Sequence, residues 1–146
     1  MKQPKSQAAK PTRSQLLFDH AYVGVSIGPG QAVSFHPSTP FVVGTAISKI
    51  NDTTFRLNEN GVYRVSYALR TGHFSSWLGV FVLQIQVNGA GVGEGAYLWL
   101  PGAPLVDQVA FQATAGSTVQ IVNKGNATLF PGLPIATATI NIDEVQ

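Results

Sequence analysis

Apolar and polar residues alternate along most of the chain after Leu16, most clearly in residues 55–70 (FRLNENGVYRVSYALR). Phe55 and Leu57 precede a cluster of turn-forming residues at positions 58–61. After this turn, apolar residues recur at every second position: Tyr63, Val65, Tyr67 and Leu69. A period of two is typical of a β-strand with one buried face. The pattern therefore predicts a β-hairpin at the centre of the fold.

Short segments of the same kind continue to the C-terminus, separated by turn formers. The Asn88-Gly89 pair is a strong hairpin signal, because both residue types readily adopt positive φ angles. After it, we expect residues 91–96 (GVGEGA) to form a glycine-rich loop and 96–100 (AYLWL) a strand. No window of helical length shows a 3.6-residue period. Eight to ten short strands without a helix predict an all-β sandwich, jelly roll or barrel.

Asp107 conflicts with this regular pattern. It shares parity with Leu105, Val109 and Phe111, so a regular strand would place its carboxylate on an apolar face. We expect Asp107 to lie at an interface, near a strand end, or beside a β-bulge that resets the alternation. A role as a catalytic acid is the less favoured interpretation.

Charge is scarce and unevenly distributed. Charged residues make up 11% of the chain, against about 25% in typical soluble proteins, so we expect other subunits to cover part of the surface. Four of the nine basic residues lie in the first thirteen positions: Lys2, Lys5, Lys10 and Arg13. The remaining five basic and seven acidic residues give a net charge of −2. The chain after Arg13 therefore lacks the basic surface that nucleic-acid binding requires.

The composition also predicts the domain organisation. Residues 1–15 are polar and without periodicity, which predicts a flexible basic tail, and residues 16–146 are long enough for one folded domain. No apolar run has the length of a signal peptide or of a membrane helix, so we expect no membrane insertion. The chain has no cysteine, which excludes disulfides, thiolate metal sites and thiol nucleophiles.

Residues 24–28 (GVSIG) match the G-x-S-x-G motif of hydrolases, with Ser26 as nucleophile. Pro29-Gly30 follows directly, and no helix is predicted there. The histidines, His20, His36 and His73, have no evident acid partner and no zinc-ligand spacing. We therefore predict no catalytic residues and no cofactor. A calcium site built from loop oxygens stays open, because backbone carbonyl ligands leave no sequence pattern.

Residues 55–70 also carry a family resemblance. Phe55 and Gly61, followed by Tyr63, Val65 and Tyr67 at alternate positions, resemble the aromatic signature of the complement component one q and tumour-necrosis-factor superfamily. Val65 replaces the middle aromatic residue of that signature. Residues 111–121 (FQATAGSTVQI) look like the strand, turn and strand of the same family.

Three further segments are similar to one branch of this superfamily. GTAISKINDTTFRLNENGVYRVSY, LQIQVNGAGV and GAPLVDQ resemble the C-terminal globular domain of the collagen-like exosporium glycoproteins of Bacillus-type spores. The resemblance spans residues 21–146 and implies a ten-strand antiparallel jelly-roll sandwich, assembled as a homotrimer on the spore surface. The G-x-y collagen repeat of those glycoproteins is absent from this sequence.

We therefore expect a non-enzymatic, trimeric structural or adhesive module of a surface layer, the exosporium or coat of a spore or another extracellular assembly. Other spore-surface proteins or surface glycans are its expected partners besides itself. Strand parity and low charge predict the trimer-interface residues: Val62, Ser66, Ala68, Gln108 and Gln112. The alternative is a glycan- or receptor-binding fibre head of phage or viral type. Its candidate ligand residues are Phe74, Trp77 and Trp99.

Overall fold

The computed structural model describes residues 13–22, 26–35, 39–70, 81–97, 104–128 and 137–145. These residues form ten β-strands. In chain order they are β1 (Gln15–Tyr22), β2 (Phe41–Val43), β3 (Ile47–Asn51), β4 (Thr54–Leu57), β5 (Gly61–Arg70), β6 (Val82–Val87), β7 (Ala90–Tyr97), β8 (Leu105–Ala113), β9 (Ser117–Asn123) and β10 (Thr137–Glu144). In this part of the chain, no helix is long and apolar enough to cross a membrane.

The strands form two five-stranded sheets that enclose one core. Sheet I has the order β2-β1-β10-β5-β8, and sheet II has the order β3-β4-β9-β6-β7. The paired strands are antiparallel. Several consecutive strands lie in different sheets, as in a jelly roll. The predicted all-β, ten-strand antiparallel jelly-roll sandwich is therefore confirmed.

The predicted hairpin over residues 55–70 is wrong. β4 pairs with β3 and β9 in sheet II, whereas β5 pairs with β10 and β8 in sheet I. The turn at residues 58–60 is a corner between the sheets, and its two strands direct apolar side chains into the core from opposite sides. Contacts with a distant turn support this corner: Gly116 N donates to Leu57 O at 2.7 Å. Alternation identifies a buried face but not the strand that pairs beside it.

The Asn88-Gly89 hairpin is confirmed. Asn88 and Gly89 have φ angles of 52° and 80° and connect the paired residues Val87 and Ala90, as in a two-residue hairpin turn. The predicted glycine-rich loop is wrong, because residues 91–96 lie within β7. A Cβ on Gly91 would come within 2.3 Å of Nε2 of Gln84. Gly91 therefore leaves room for the Gln84 side chain to lie across the strand, rather than forming a loop.

The core contains most of the residues that carry the family resemblance. Phe55, Tyr63 and Val65 are fully buried, Tyr67 is almost so, and Gly61 begins β5. The rings of Phe35 and Phe55 meet edge to face, with centroids 5.5 Å apart. The hydroxyl of Tyr67 donates to Leu83 O at 3.1 Å, which joins sheet I to sheet II across the core. A buried tyrosine of this kind contributes apolar area and satisfies its own polar group.

Asp107 lies near a strand end, which is one of the three predicted positions. It is the third residue of β8, and β5 and β8 pair without a register shift, so no bulge resets the alternation. Its side chain is half-buried on the inner side of sheet I. Oδ1 accepts a hydrogen bond from Gln108 N at 2.8 Å. Within the described residues, the buried Oδ2 atom has no hydrogen-bond partner.

Candidate functional site

The outer face of sheet I consists of the side chains that alternate with its core residues. β5 pairs with both β10 and β8 without a register shift, so the alternation persists along its length. The exposed and half-exposed positions of β5 and β8 lie between buried or inward-facing ones. This outer face holds all five residues that strand parity selects: Val62, Ser66, Ala68, Gln108 and Gln112.

Two large apolar side chains are exposed at opposite edges of this face. Phe41 on β2 is 64% exposed, and Val106 on β8 is 62% exposed. β2 and β8 are the two edge strands of sheet I. Phe41 is paired with Leu17, and Val106 is paired with Ala68, so each has an apolar cross-strand neighbour. Each edge of the face therefore has its own small apolar pair, Phe41 with Leu17 and Val106 with Ala68.

An ion pair lies between these edges. Arg64 Nη2 and Nε donate to Asp143 Oδ2 at 2.7 and 3.3 Å, and the two residues are directly paired across β5 and β10. Asn141 Nδ2 donates to the same oxygen at 3.4 Å and accepts a hydrogen bond from Gln15 Nε2 at 3.1 Å through its own Oδ1. On β5, the other charged residue is Arg70, at the strand end. Between their strand ends, the described outward-facing residues of β5 and β10 therefore carry no unpaired charge.

The outer face of sheet II has a different chemistry. Gln120 Nε2 donates to Thr54 Oγ1 at 2.9 Å. Gln84 lies across Gly91, and its Nε2 donates to Gly93 O at 3.4 Å. Gln86, which is paired with Gln120 across β6 and β9, is also buried. The amides of Gln120 and Gln84 therefore bind within their own sheet.

Three turns meet at the end of the sandwich where β5 and β9 begin. They lie at residues 58–60, 88–89 and 114–116 and form a cleft of about 460 Å³. We call it the turn cleft, and its lining residues are Asn60, Val87, Asn88, Gln112, Ala113, Thr114 and Ser117. None of these side chains is ionisable at neutral pH.

Hydrogen bonds between the turns fix the shape of the turn cleft. Asn60 Oδ1 accepts from Ala115 N at 2.8 Å. Asn88 Oδ1 accepts from Thr118 N at 3.0 Å, and its Nδ2 donates to Ser117 Oγ at 3.2 Å. Sequence reasoning missed this cleft and selected only Gln112, for another role. The signal that could have found it is the pair of Asn-Gly turns at residues 60–61 and 88–89.

Tyr63 lies close to the turn at residues 58–60, with its phenol at the edge of the core. Its hydroxyl donates to Glu59 O at 2.6 Å. Burial raises the pKa of the Tyr63 phenol above its usual value of 10.0, and the negative charge of Glu144 raises it further. The phenol therefore stays protonated at neutral pH and acts as a structural donor.

Ser26 does not lie in a nucleophile elbow. It is exposed and lines a separate cleft of about 640 Å³ with Gln31, Ser34 and Asp52. Pro29-Gly30 forms a turn there, and in the described residues no helix follows Ser26, whereas an elbow requires a strand, a sharp turn and a helix. The side chains of the three histidines lie outside the part of the chain that the structure describes: His20, His36 and His73.

The remaining predicted site residues lie outside the described residues: Phe74, Trp77 and Trp99. Within the described ranges, no three His, Asp or Glu side chains gather in a way that could hold a metal ion. A calcium site built from loop oxygens stays a prediction.

Comparison with known proteins supports one family. Residues 19–146 match the family model of the BclA C-terminal domain. No curated protein is similar enough in sequence to match the chain.

Solved structures with the same fold are distant in sequence. The globular domain of zebrafish complement 1qA protein has a TM-score of 0.61 and 14% identity, and the alignment covers 92% of this chain and 97% of that one. The PRD1 vertex protein P5 has a TM-score of 0.58 and 14% identity, with coverages of 92% and 98%. Rabbit GITRL has a TM-score of 0.58 and 13% identity, with coverages of 90% and 94%. At these identities the similarity establishes the fold alone.

Proposed function

The chain belongs to the BclA C-terminal domain family, and we propose that it is a non-enzymatic, homotrimeric structural or adhesive module of the outer layer of a bacterial spore. The layer is the exosporium or coat, because the family is that of the collagen-like exosporium glycoproteins. The main support for a trimer comes from the outer face of sheet I. This face is low in charge and exposes Phe41 and Val106 at its opposite edges.

These two edges suit a closed ring of copies. A cyclic assembly other than a dimer joins two different patches of the surface, so that each copy uses one patch for each neighbour. Phe41 lies at the β2 edge and Val106 at the β8 edge, which supplies two such patches. Small side chains between them, Ser66 and Ala68, allow neighbouring copies to approach closely. The superfamily resemblance supports three copies in the ring.

The trimer is tested by light scattering on the purified chain. We expect a mass of 46.5 kDa, three times the 15.5 kDa of one chain. Ala68→Arg places a charge on the outer face of sheet I and is expected to give monomers. Thr118→Arg makes the same kind of change in sheet II, beside Arg56, and is expected to leave the trimer intact. A monomeric unmodified chain would contradict the proposal.

The surface location needs a separate experiment. Antibodies against the full chain are expected to label the surface of intact spores of the source organism. The alternative function is a glycan- or receptor-binding fibre head of phage or viral type, and the fold it shares with the PRD1 vertex protein P5 supports this alternative. Label on phage or virus particles and none on spores would favour the fibre head.

A further inference from the structure

The turn cleft holds hydrogen-bonding groups that the fold itself does not use. In the described part of the chain, the amide of Gln112 and Nδ2 of Asn60 have no hydrogen-bond partner. The hydroxyl of Thr114 has only a long contact of 3.5 Å with Ser117 Oγ. All three side chains are exposed. Together they offer several donors and acceptors within one concave surface.

The floor of the cleft adds a small apolar area. Val87 is half-buried, and Ala113 is buried; both also line the cleft. A pyranose ring has hydroxyl groups around its rim and a C–H face that packs on such an area. A charged ligand would lose hydration without meeting an opposite charge, because no lining side chain is ionisable. The chemistry of the cleft is therefore suited to a neutral, hydroxyl-rich molecule.

We propose that the turn cleft binds one ring of a neutral carbohydrate. Gln112 and Asn60 donate to ring hydroxyls, Thr114 both donates and accepts, and the C–H face of the ring packs on Val87. This inference rests on the adhesive part of the proposed function and gives it a ligand class. It takes Gln112, next to the last residue of β8, as a ligand residue rather than as the interface residue that strand parity predicts. It assigns the binding site to the turns between strands rather than to Phe74, Trp77 and Trp99.

The walls of the turn cleft are fixed before any ligand arrives. Asn88 N donates to Thr118 O at 2.9 Å, and Asn88 Oδ1 accepts from Thr118 N at 3.0 Å, so the β6–β7 turn is bound to the start of β9 from two sides. Asn60 makes a corresponding bond to Ala115 N. A preorganised site loses less conformational entropy on binding than a mobile loop does. The turns themselves therefore add little ordering cost to sugar binding.

The test uses the full chain and four neutral sugars: glucose, galactose, mannose and N-acetylglucosamine. Saturation-transfer NMR screens the free sugars, calorimetry gives Kd, and an array of glycans that end in the same sugars separates free-sugar from glycan recognition. We expect at least one sugar to bind with a Kd of about 1 mM or tighter. Gln112→Ala and Thr114→Val are each expected to weaken it about three- to tenfold, as for one lost neutral hydrogen bond.

The matched control is Gln108→Ala. Gln108 lies on the same strand and the same outer face as Gln112 but outside the cleft. Gln108 is also a predicted interface residue. If weaker assembly alone reduced sugar binding, Gln108→Ala would therefore reduce it too. We expect Gln108→Ala to bind the sugar as the unmodified chain does.

Each of these results would overturn the inference: no sugar binds, all variants bind equally, or Gln108→Ala loses binding as Gln112→Ala does. Sugar binding that is lost on Trp77→Ala alone would place the ligand in the other loops and would also overturn it. A trimer that binds no sugar leaves the proposed trimer intact, whereas a monomer that binds sugar contradicts the trimer alone. The two proposals can therefore fail separately.

Discussion

The two outer faces of the sandwich are built from strands of similar length, yet they treat their side chains differently. Sheet II binds its polar groups internally, as Gln120 does to Thr54 and Gln84 does to the backbone of Gly93. Sheet I leaves apolar groups exposed at both edges, at Phe41 and Val106. Among the described residues, sheet II exposes one large apolar side chain, Ile50 on β3, so sheet I differs in exposing such side chains at both of its edges.

This difference shows how a chain with 11% charged residues distributes its polar and apolar groups. In sheet II, the amide of Gln120 and the hydroxyl of Thr54 bind each other without any need for charge. On the outer face of sheet I, the pair of Arg64 and Asp143 neutralises the charge at the centre. Burying such a face against another copy leaves no isolated charge there, which would otherwise cost several kcal/mol. The low number of charged residues is thus better explained by assembly with other copies than by the folding of a single copy.

The difference between the two outer faces predicts that the largest effect on trimer stability comes from a substitution at an edge residue of sheet I. Val106→Asp is expected to dissociate the trimer, because a carboxylate would replace an apolar contact and lose its hydration in the interface, at a cost of about 2 kcal/mol or more per contact. Ile50→Asp is the matched control: Ile50 is 48% exposed on β3, an edge strand of sheet II. We expect Ile50→Asp to remain trimeric. Sedimentation velocity at several protein concentrations measures both dissociation constants.

If both variants dissociate equally, sheet II also takes part in assembly and the contrast between the faces is wrong. If neither dissociates, the β8 edge is not covered. In either case the fold itself is unaffected, since both side chains are exposed in the single copy. Circular dichroism of each variant checks that the β-structure is retained.

A smaller effect is expected from the inner side of β5. Tyr63→Phe removes the hydroxyl that donates to Glu59 O at 2.6 Å and should lower the free energy of unfolding by about 1–2 kcal/mol, because a partly buried carbonyl loses its donor. The trimer mass should not change, since Tyr63 faces the core. Urea denaturation at one fixed chain concentration measures this. Dissociation of the variant would show that a core-facing residue of β5 also affects assembly, so that the inner and outer faces of the strand do not have separate roles.

The same residue has a defined pH dependence. Its folded-state pKa is raised above the usual 10.0 by burial and by Glu144. As the pH rises past about 10, the unfolded chain loses this proton first, so the folded state is disfavoured and stability falls. The unmodified chain should therefore lose more stability than Tyr63→Phe between pH 8 and about pH 11. Equal losses would show that the phenol titrates alike in both states.

Sequence patterns predict strands more reliably than they predict which strands pair. The Asn88-Gly89 hairpin is predictable because a two-residue turn places its two strands side by side, where they pair. The turn at residues 58–60 is ambiguous, since a turn of this length suits a hairpin or a corner, and the choice depends on distant partners. Leu57 O, for example, accepts from Gly116 N. Such contacts join residues far apart in the chain and have no local pattern.

The outer face of sheet I and the turn cleft also differ in how far they can be predicted from the sequence. Val62, Ser66 and Ala68 could be assigned to one face from parity because β5 runs ten residues without a bulge. The turn cleft could not be predicted, because it combines residues from three turns that only the folded chain brings together. Asn60 and Ala115, for instance, lie 55 positions apart and are joined by one hydrogen bond. Periodicity specifies faces, whereas clefts depend on topology.

The smallest expected effect concerns two ion pairs among the described residues. Arg64 and Asp143 lie on the outer face of sheet I with side chains 45% and 17% exposed, and Lys49 and Asp52 lie at the β3–β4 turn with side chains 15% and 55% exposed. Double-mutant cycles to alanine are expected to give a coupling of about 1 kcal/mol or more for Arg64–Asp143 in the trimer, because a neighbouring copy excludes water from it. The turn pair should give about 0.5 kcal/mol or less. Couplings of equal size would mean that water reaches both pairs alike, and sheet I would then have no cover. Repeating the cycle in the monomeric Ala68→Arg background should reduce the Arg64–Asp143 coupling to that of the turn pair, because the same two side chains would then be solvated.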